Sequence, residues 1–159
     1  MASWREIEAE APELVALAAR FLEARKHKTI ATIRRDGSPR ISGTEADLVD
    51  GELYWGSMWG AVKALDLRRD PRFALHSGSE DPPEWSGDAK VAGRAEEIDD
   101  DERKAALVAA QGNEQQPPEP WHLFRADIEE LVVTRLSDAR DKLVIERWRQ
   151  GEGVKRIER

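Results

Sequence analysis

Residues 29–77, TIATIRRDGSPRISGTEADLVDGELYWGSMWGAVKALDLRRDPRFALHS, decide the fold. Residues 28–34 alternate apolar and polar side chains as a half-buried strand does, and Asp36-Gly37-Ser38-Pro39 is a turn cluster. Residues 40–49 read as a second strand, Asp50-Gly51 as a hairpin turn, and residues 52–57 as a third strand. Residues 61–68 have the pattern of a short helix. It stops near Asp70-Pro71, because a residue before proline is pushed out of the helical region. Residues 72–78 return as a fourth strand. Two adjacent antiparallel hairpins are thus spelled out.

Outward from this stretch, residues 12–26 form a helix with Leu14, Leu17, Ala18, Phe21 and Leu22 on one face and Pro12 in the first turn. Residues 79–87 are a loop. Residues 88–98 are a fifth strand, where the interior Gly93 marks a bulge or a close backbone approach. Residues 100–111 are a helix whose acidic first turn suits its dipole. Residues 112–120 read as a linker-like loop. Residues 128–136 and 142–149 are two further strands, followed by a basic tail over residues 150–159. No repeat or composition break divides the chain, so residues 1–159 read as one domain. This many short strands with few helices predicts a mainly β protein built as a closed or partly closed antiparallel barrel, since closure removes exposed strand edges. Side chains fill a barrel of this size, so a cofactor belongs on its outside, between subunits.

Composition narrows the function classes. The 159 residues carry a net charge of −7, with 36% charged and 40% hydrophobic residues. An acidic chain lacks the basic footprint that nucleic acid or an anionic membrane requires. The absence of cysteine removes disulfides, thiolate catalysis and cysteine-ligated metals. His27, His76 and His122 are far apart and have no metal-ligand spacing. No apolar run approaches the length of a membrane span, and the acidic N-terminus does not resemble a secretory signal, so a cytoplasmic location is the default expectation.

Chemistry-bearing residues concentrate in Ser57–Lys63, SMWGAVK. A strand end, a glycine and a helix N-terminus make an anion site there, because backbone N–H groups and the helix dipole face outward. A lysine in the first helical turn is mildly unfavourable to the helix, which makes sense if Lys63 neutralises a ligand phosphate. The plainer reading is a solvated lysine. Six tryptophans stand against three phenylalanines and one tyrosine. Trp59 and Trp85 fall in loops and Trp148 in the last strand, where each can stack on a planar ring or simply pack. Arg147, Arg149, Lys155, Arg156 and Arg159 make the tail basic, either as a clamp for an anion or partner subunit or as a frayed terminus.

Together these segments resemble the pyridoxamine 5′-phosphate oxidase-like split-barrel family, from about residue 14 to the end. The residues that carry the resemblance are the strand Leu53–Ser57, Lys63, the Asp70-Pro71 stop, VAGRAEEI over Val91–Ile98, and the tail IERWRQGEGVKRIER. The resemblance implies an antiparallel Greek-key split β-barrel that binds FMN, or the deazaflavin coenzyme F-420, at a homodimer interface. It implies hydride transfer with a small molecule. By position, Arg40, Ser57 and Lys63 would hold the cofactor phosphate. Ile41, Ser42, Met58 and Trp59 would line the ring or ribityl chain. Trp148 and Arg156 would reach across from the partner subunit or close the site. The chain departs from the oxidase pattern at Val62, Glu45, Asp88 and Glu158, where the oxidase carries an arginine, a lysine, a glutamine and a histidine. An acidic tail residue repels a phosphorylated substrate, which argues against a vitamin B6 oxidase. A non-catalytic flavin- or haem-binding module is the alternative, with the three histidines as the axial candidates.

Overall fold

A computed structural model describes residues 1–112 and 118–159. Two helices open the chain, α1 (Trp4–Glu10) and α2 (Pro12–Glu23). Strands β1 (His27–Ile33), β2 (Pro39–Val49) and β3 (Glu52–Met58) follow, then α3 (Val62–Arg69), β4 (Arg72–His76), β5 (Gly87–Glu97) and α4 (Asp101–Ala110). The chain ends with β6 (Trp121–Leu136), β7 (Leu143–Arg149) and β8 (Gly153–Glu158).

All pairings are antiparallel, in the order β3-β2-β1-β4-β5-β6-β7-β8, with β3 also paired to β6. That extra pairing closes strands β1 to β6 into a six-stranded barrel. The order β3-β2-β1-β4 is a Greek key, because the fourth strand returns beside the first. The split comes from β6. Its first residues, Trp121–Arg125, pair with β3, and its later ones, Glu130–Leu136, pair with β7. The β7–β8 hairpin therefore extends the sheet beyond the closed part. The structure is the split β-barrel expected from the sequence.

Alternation sets the inner face. Ile30, Ala46, Leu53, Trp55, Phe73, Leu75, Val91, Phe124, Leu131 and Val133 are buried in one core with the apolar faces of α1 and α2. Gly93 confirms both readings of an interior glycine. The β5–β6 register shifts between Ala92 and Gly93, and a Cβ at Gly93 would lie 2.1 Å from the Asp127 carbonyl.

Three boundaries differ from the sequence expectation. α1 is an added helix, capped by a reciprocal Ser3–Glu6 capping box. β6 starts at Trp121 rather than 128, because its early residues are needed to close the barrel against β3. The tail is strand β8, and its cations are largely matched. Lys155 pairs with Glu152 at 2.5 Å, Arg156 with Glu158 at 2.8 Å, and Arg147 with Glu152 at 3.1 Å. It is neither frayed nor a free basic clamp. The loop expected over 112–120 lies mostly outside the described residues. No helix among the described residues is long and apolar enough to cross a membrane.

Candidate functional site

A cavity of about 610 Å³ opens on the outer face of the barrel wall. Its floor follows from strand alternation. Gly43, Glu45 and Asp47 of β2, Tyr54, Gly56 and Met58 of β3, and Trp121 and Leu123 of β6 all face it. These rows are in register: Asp47 opposes Tyr54, Gly56 opposes Leu123, and Met58 opposes Trp121. One wall is α4, through Val108 and Gln111. That helix is held by a small apolar cluster of Ile98, Leu107, Val108, Trp121 and Leu123. The opposite wall is the turn into α3, through Ser57, Ala61 and Lys63.

The two ends of the cavity differ in chemistry. At the α3 end, the Lys63 ammonium donates to the Gly43 carbonyl at 2.6 Å, one of its three donors. Burial pushes its pKa below the ordinary lysine value. Ser57 is buried, and its Oγ has no hydrogen-bond partner among the described residues. α3 has no side-chain cap, and with the Ala64 N–H taken by the Ala61 carbonyl at 2.9 Å, the amides of Val62 and Lys63 are left for water or an anion. A buried hydroxyl without a partner, a desolvated cation and uncapped amides at one place fit a phosphate. At the other end, Glu45 and Asp47 supply carboxylates. Glu45 is 3.8 Å from Lys26 and 3.9 Å from His27, and Asp47 accepts from Gln111 at 3.0 Å. Between the ends, a Cβ built at Gly43 meets no atom within 4 Å, so the floor there is bare backbone facing open space. Such a floor fits the face of a flat ring.

A buried network fixes the turn between β3 and α3. The Gly60 N–H donates to His122 Nε2 at 3.1 Å, and His122 Nδ1 lies 2.7 Å from a Glu97 carboxylate oxygen. Arg68 clamps Glu97 with two bonds of 2.6 and 2.8 Å. Burial raises the Glu97 pKa, but the bonds from Arg68 and His122 outweigh it and hold the carboxyl below its ordinary range. Trp59 stacks on the His122 ring at 4.6 Å, and the Arg68 guanidinium lies over the Trp59 ring, 5.1 Å from its centre. A second knot holds α3 to the barrel. Asp66 is buried and accepts from Thr32 at 3.0 Å, Arg40 at 2.7 Å and Arg69 at 2.9 Å.

The structure brings Ser57, Met58 and Lys63 together at the cavity and places the other expected site residues around it or elsewhere. Arg40 has its Nε on Asp66, where it braces α3. Ser42 lies opposite Ile30, turned away from the outer face. Ile41 and Trp59 are exposed beside the cavity, at 74% and 56%. Trp148 does not line the cavity within one chain. It is 1% exposed, and its indole N–H donates to Glu10 at 2.8 Å, so it packs under α1. Arg156 stands exposed on β8, ion-paired to Glu158. Of the three histidines, His27 lines the cavity with an exposed side chain, and the other two are engaged within the chain. His122 has both nitrogens engaged, and His76 accepts from Gly78 N–H at 3.0 Å while facing Asp88 at 3.5 Å. Sequence reasoning missed Gly43, Tyr54, Gly56 and Trp121. The available signal was the outward phase of β2 and β3, where glycines alternate with larger residues.

Comparison with known proteins agrees with this fold. No curated protein matches the chain significantly in sequence. Among solved structures, PhzG from Burkholderia lata 383, in complex with tetrahydrophenazine-1-carboxylic acid, superposes with a TM-score of 0.66 at 16% identity, covering 99% of this chain and 97% of that one. A pyridoxamine 5′-phosphate oxidase-related, FMN-binding protein from Nostoc punctiforme gives 0.65 at 14% identity, covering 100% and 97%. An FAD-binding protein from Mesorhizobium loti gives 0.57 at 23% identity, covering 74% and 91%. The family model for pyridoxamine 5′-phosphate oxidase matches residues 14–135. That span runs from α2 through the whole closed barrel to the end of β6, and the chain belongs to the pyridoxamine 5′-phosphate oxidase family.

Proposed function

We propose that this chain binds FMN in the β2–β3–β6 cavity and acts, as a homodimer, as an oxidoreductase on a small molecule other than a vitamin B6 phosphate. The observation that carries the reading is the pairing of a buried Ser57 hydroxyl, without a partner among the described residues, with the half-buried Lys63 ammonium beside the open floor at Gly43. FMN, when bound, supplies the hydride chemistry. The chain's own residues bind and orient. Lys63, Ser57 and the first amides of α3 hold the phosphate, and Gly43 lets a ring lie close to the strands, while Gly56 is covered by the Trp121 ring. Met58 and Trp121 cover its edge.

A dimer is supported by the surface around the site. Five of the nine large apolar side chains exposed among the described residues are Ile41, Met58, Trp59, Val62 and Leu65. They lie along the end of β3, the start of α3 and the adjoining part of β2. A second copy covering them would complete the open side of the cavity. Arg156 is exposed on β8 and would exchange its Glu158 partner for an anion in a neighbouring site.

The test is spectroscopic titration of the purified protein with FMN and with the deazaflavin coenzyme. Saturable FMN binding, weakened at least tenfold by Lys63→Ala, supports the assignment. Tighter binding of the deazaflavin would replace FMN as the cofactor, and unchanged affinity in Lys63→Ala would overturn the site. A ligand at a hundred times its Kd adds about 2.7 kcal/mol of stability, so a thermal melt gives a second readout.

A further inference from the structure

We propose that His122 is a positioning residue that sets the phosphate-binding turn between β3 and α3. The proposal rests on the phosphate-site reading above. His122 touches that site from two directions. In the β3–β6 register it lies directly opposite Ser57, and its Nε2 holds the Gly60 N–H at 3.1 Å. Gly60 has a φ of 70°, so the turn it makes is one that other side chains strain, and it delivers the chain into the first turn of α3.

Hydrogen-bond chemistry fixes the tautomer. A backbone N–H can only donate, so Nε2 carries no proton and accepts. The proton then sits on Nδ1 and is donated to Glu97 at 2.7 Å. Glu97 is held in turn by both bonds from Arg68, which belongs to the same helix as Lys63. The loop of contacts closes because Trp59 lies flat on the His122 ring, with an interplanar angle of 7°, and under the Arg68 guanidinium. Residues of β5, β6, α3 and the turn thus lock one another. The ring is buried, with 1% of the residue exposed, and does not line the cavity, so it acts through Gly60 and Ser57 rather than on the ligand.

The test compares FMN with riboflavin, which shares the ring and lacks the phosphate, by titration calorimetry on the full chain. The parent binds FMN more tightly than riboflavin. His122→Phe keeps a ring against Trp59 but has no acceptor for Gly60, and reduces the FMN-over-riboflavin preference by about tenfold. His122→Gln, whose amide oxygen can accept from Gly60, restores that preference to within about threefold of the parent. Should the phenylalanine variant fail to fold, Glu97→Gln takes its place, with an expected loss of about threefold for FMN and none for riboflavin. Equal losses for both ligands, or an unchanged preference in the folded variants, overturn the positioning role and leave the phosphate site standing. A parent protein with no preference for FMN over riboflavin overturns both.

Discussion

Lys63 on α3 and Gly43 on β2 meet at 2.6 Å, ammonium to main-chain carbonyl. The contact spans 20 residues and joins the helix to a strand of the barrel wall. It holds the lysine beside the floor glycine that has open space above it. A carbonyl is a weaker partner for an ammonium than a carboxylate, and no ion pair to Lys63 is formed among the described residues. The residue is therefore positioned and desolvated but not neutralised, which is the condition for binding an anion.

That state predicts a pH dependence. Burial places the Lys63 pKa below its ordinary 10.5, so the free protein loses this proton sooner than a solvated lysine would. Phosphate attraction needs the charged form. FMN affinity is therefore greatest on the acidic side of that depressed pKa and falls as pH rises through it. Lys63→Arg removes this alkaline limb, because a guanidinium stays charged. Lys63→Ala gives a flat profile with affinity lower by about tenfold or more. Dissociation constants measured from neutral to alkaline pH check all three.

Asp66 predicts the acid side of stability. Burial pushes its carboxyl upward, but the bonds from Arg40, Arg69 and Thr32 outweigh that and lower its pKa below the ordinary 3.8. A lowered carboxylate pKa contributes stability above the unfolded value and loses it as pH falls through the folded one. Asp66→Asn should cost about 2–3 kcal/mol at neutral pH, because two arginines lose their shared carboxylate. The gap between parent and variant begins to narrow near pH 4, where the unfolded chain's carboxyl takes up its proton, and closes as pH falls through the lowered folded value. Denaturant melts at several pH values measure that gap.

The sequence shows the barrel more clearly than the site, and the reason is physical. Turn chemistry and period-two alternation are local, so β1 to β4 and α3 could be read from the turn residues Asp36-Gly37, Asp50-Gly51 and Asp70-Pro71. The lysine of SMWGAVK stands out because a cation in a first helical turn is locally unfavourable, although a solvated lysine is the plainer reading of the sequence. His122 was not legible as a bridge to Gly60, since that contact joins positions 62 residues apart. The contacts of Arg40 and Trp148 within the chain were illegible for a similar reason. Each has a partner, Asp66 and Glu10, that only the closed fold brings near. Glycine at 43 gave no turn signal, and its meaning appears only when the open space above it is seen.

Gly43 separates binding from folding. A side chain there meets nothing within 4 Å, and its backbone is not in the left-handed region. Gly43→Val should leave stability unchanged or raise it by up to about 1 kcal/mol, since valine suits a strand better than glycine. The same change fills the space over the floor and should weaken FMN by tenfold or more. Gly93→Ala is the contrasting case, because its new Cβ would meet the Asp127 carbonyl at 2.1 Å. It should lower the melting temperature sharply. A Gly43→Val protein that still binds FMN as the parent does would move the ring away from this wall.

The dimer gives the last prediction. Leu65 and Ile41 are 46% and 74% exposed, and neither contributes to the cavity lining. Replacing either with glutamate changes no buried contact, so the monomer should fold with nearly the parent's helix and strand content. A charge buried against an apolar partner is costly, so each substitution should shift the dimer toward monomer in sedimentation velocity. If the second copy completes the cofactor site, FMN affinity falls in step with the loss of dimer and recovers at higher protein concentration, by mass action. Affinity that stays constant while the protein becomes monomeric would show that one chain alone makes the site. A protein that remains dimeric in both variants would place the interface elsewhere, with the exposed Val154 and Ile157 of β8 as the next surface to alter.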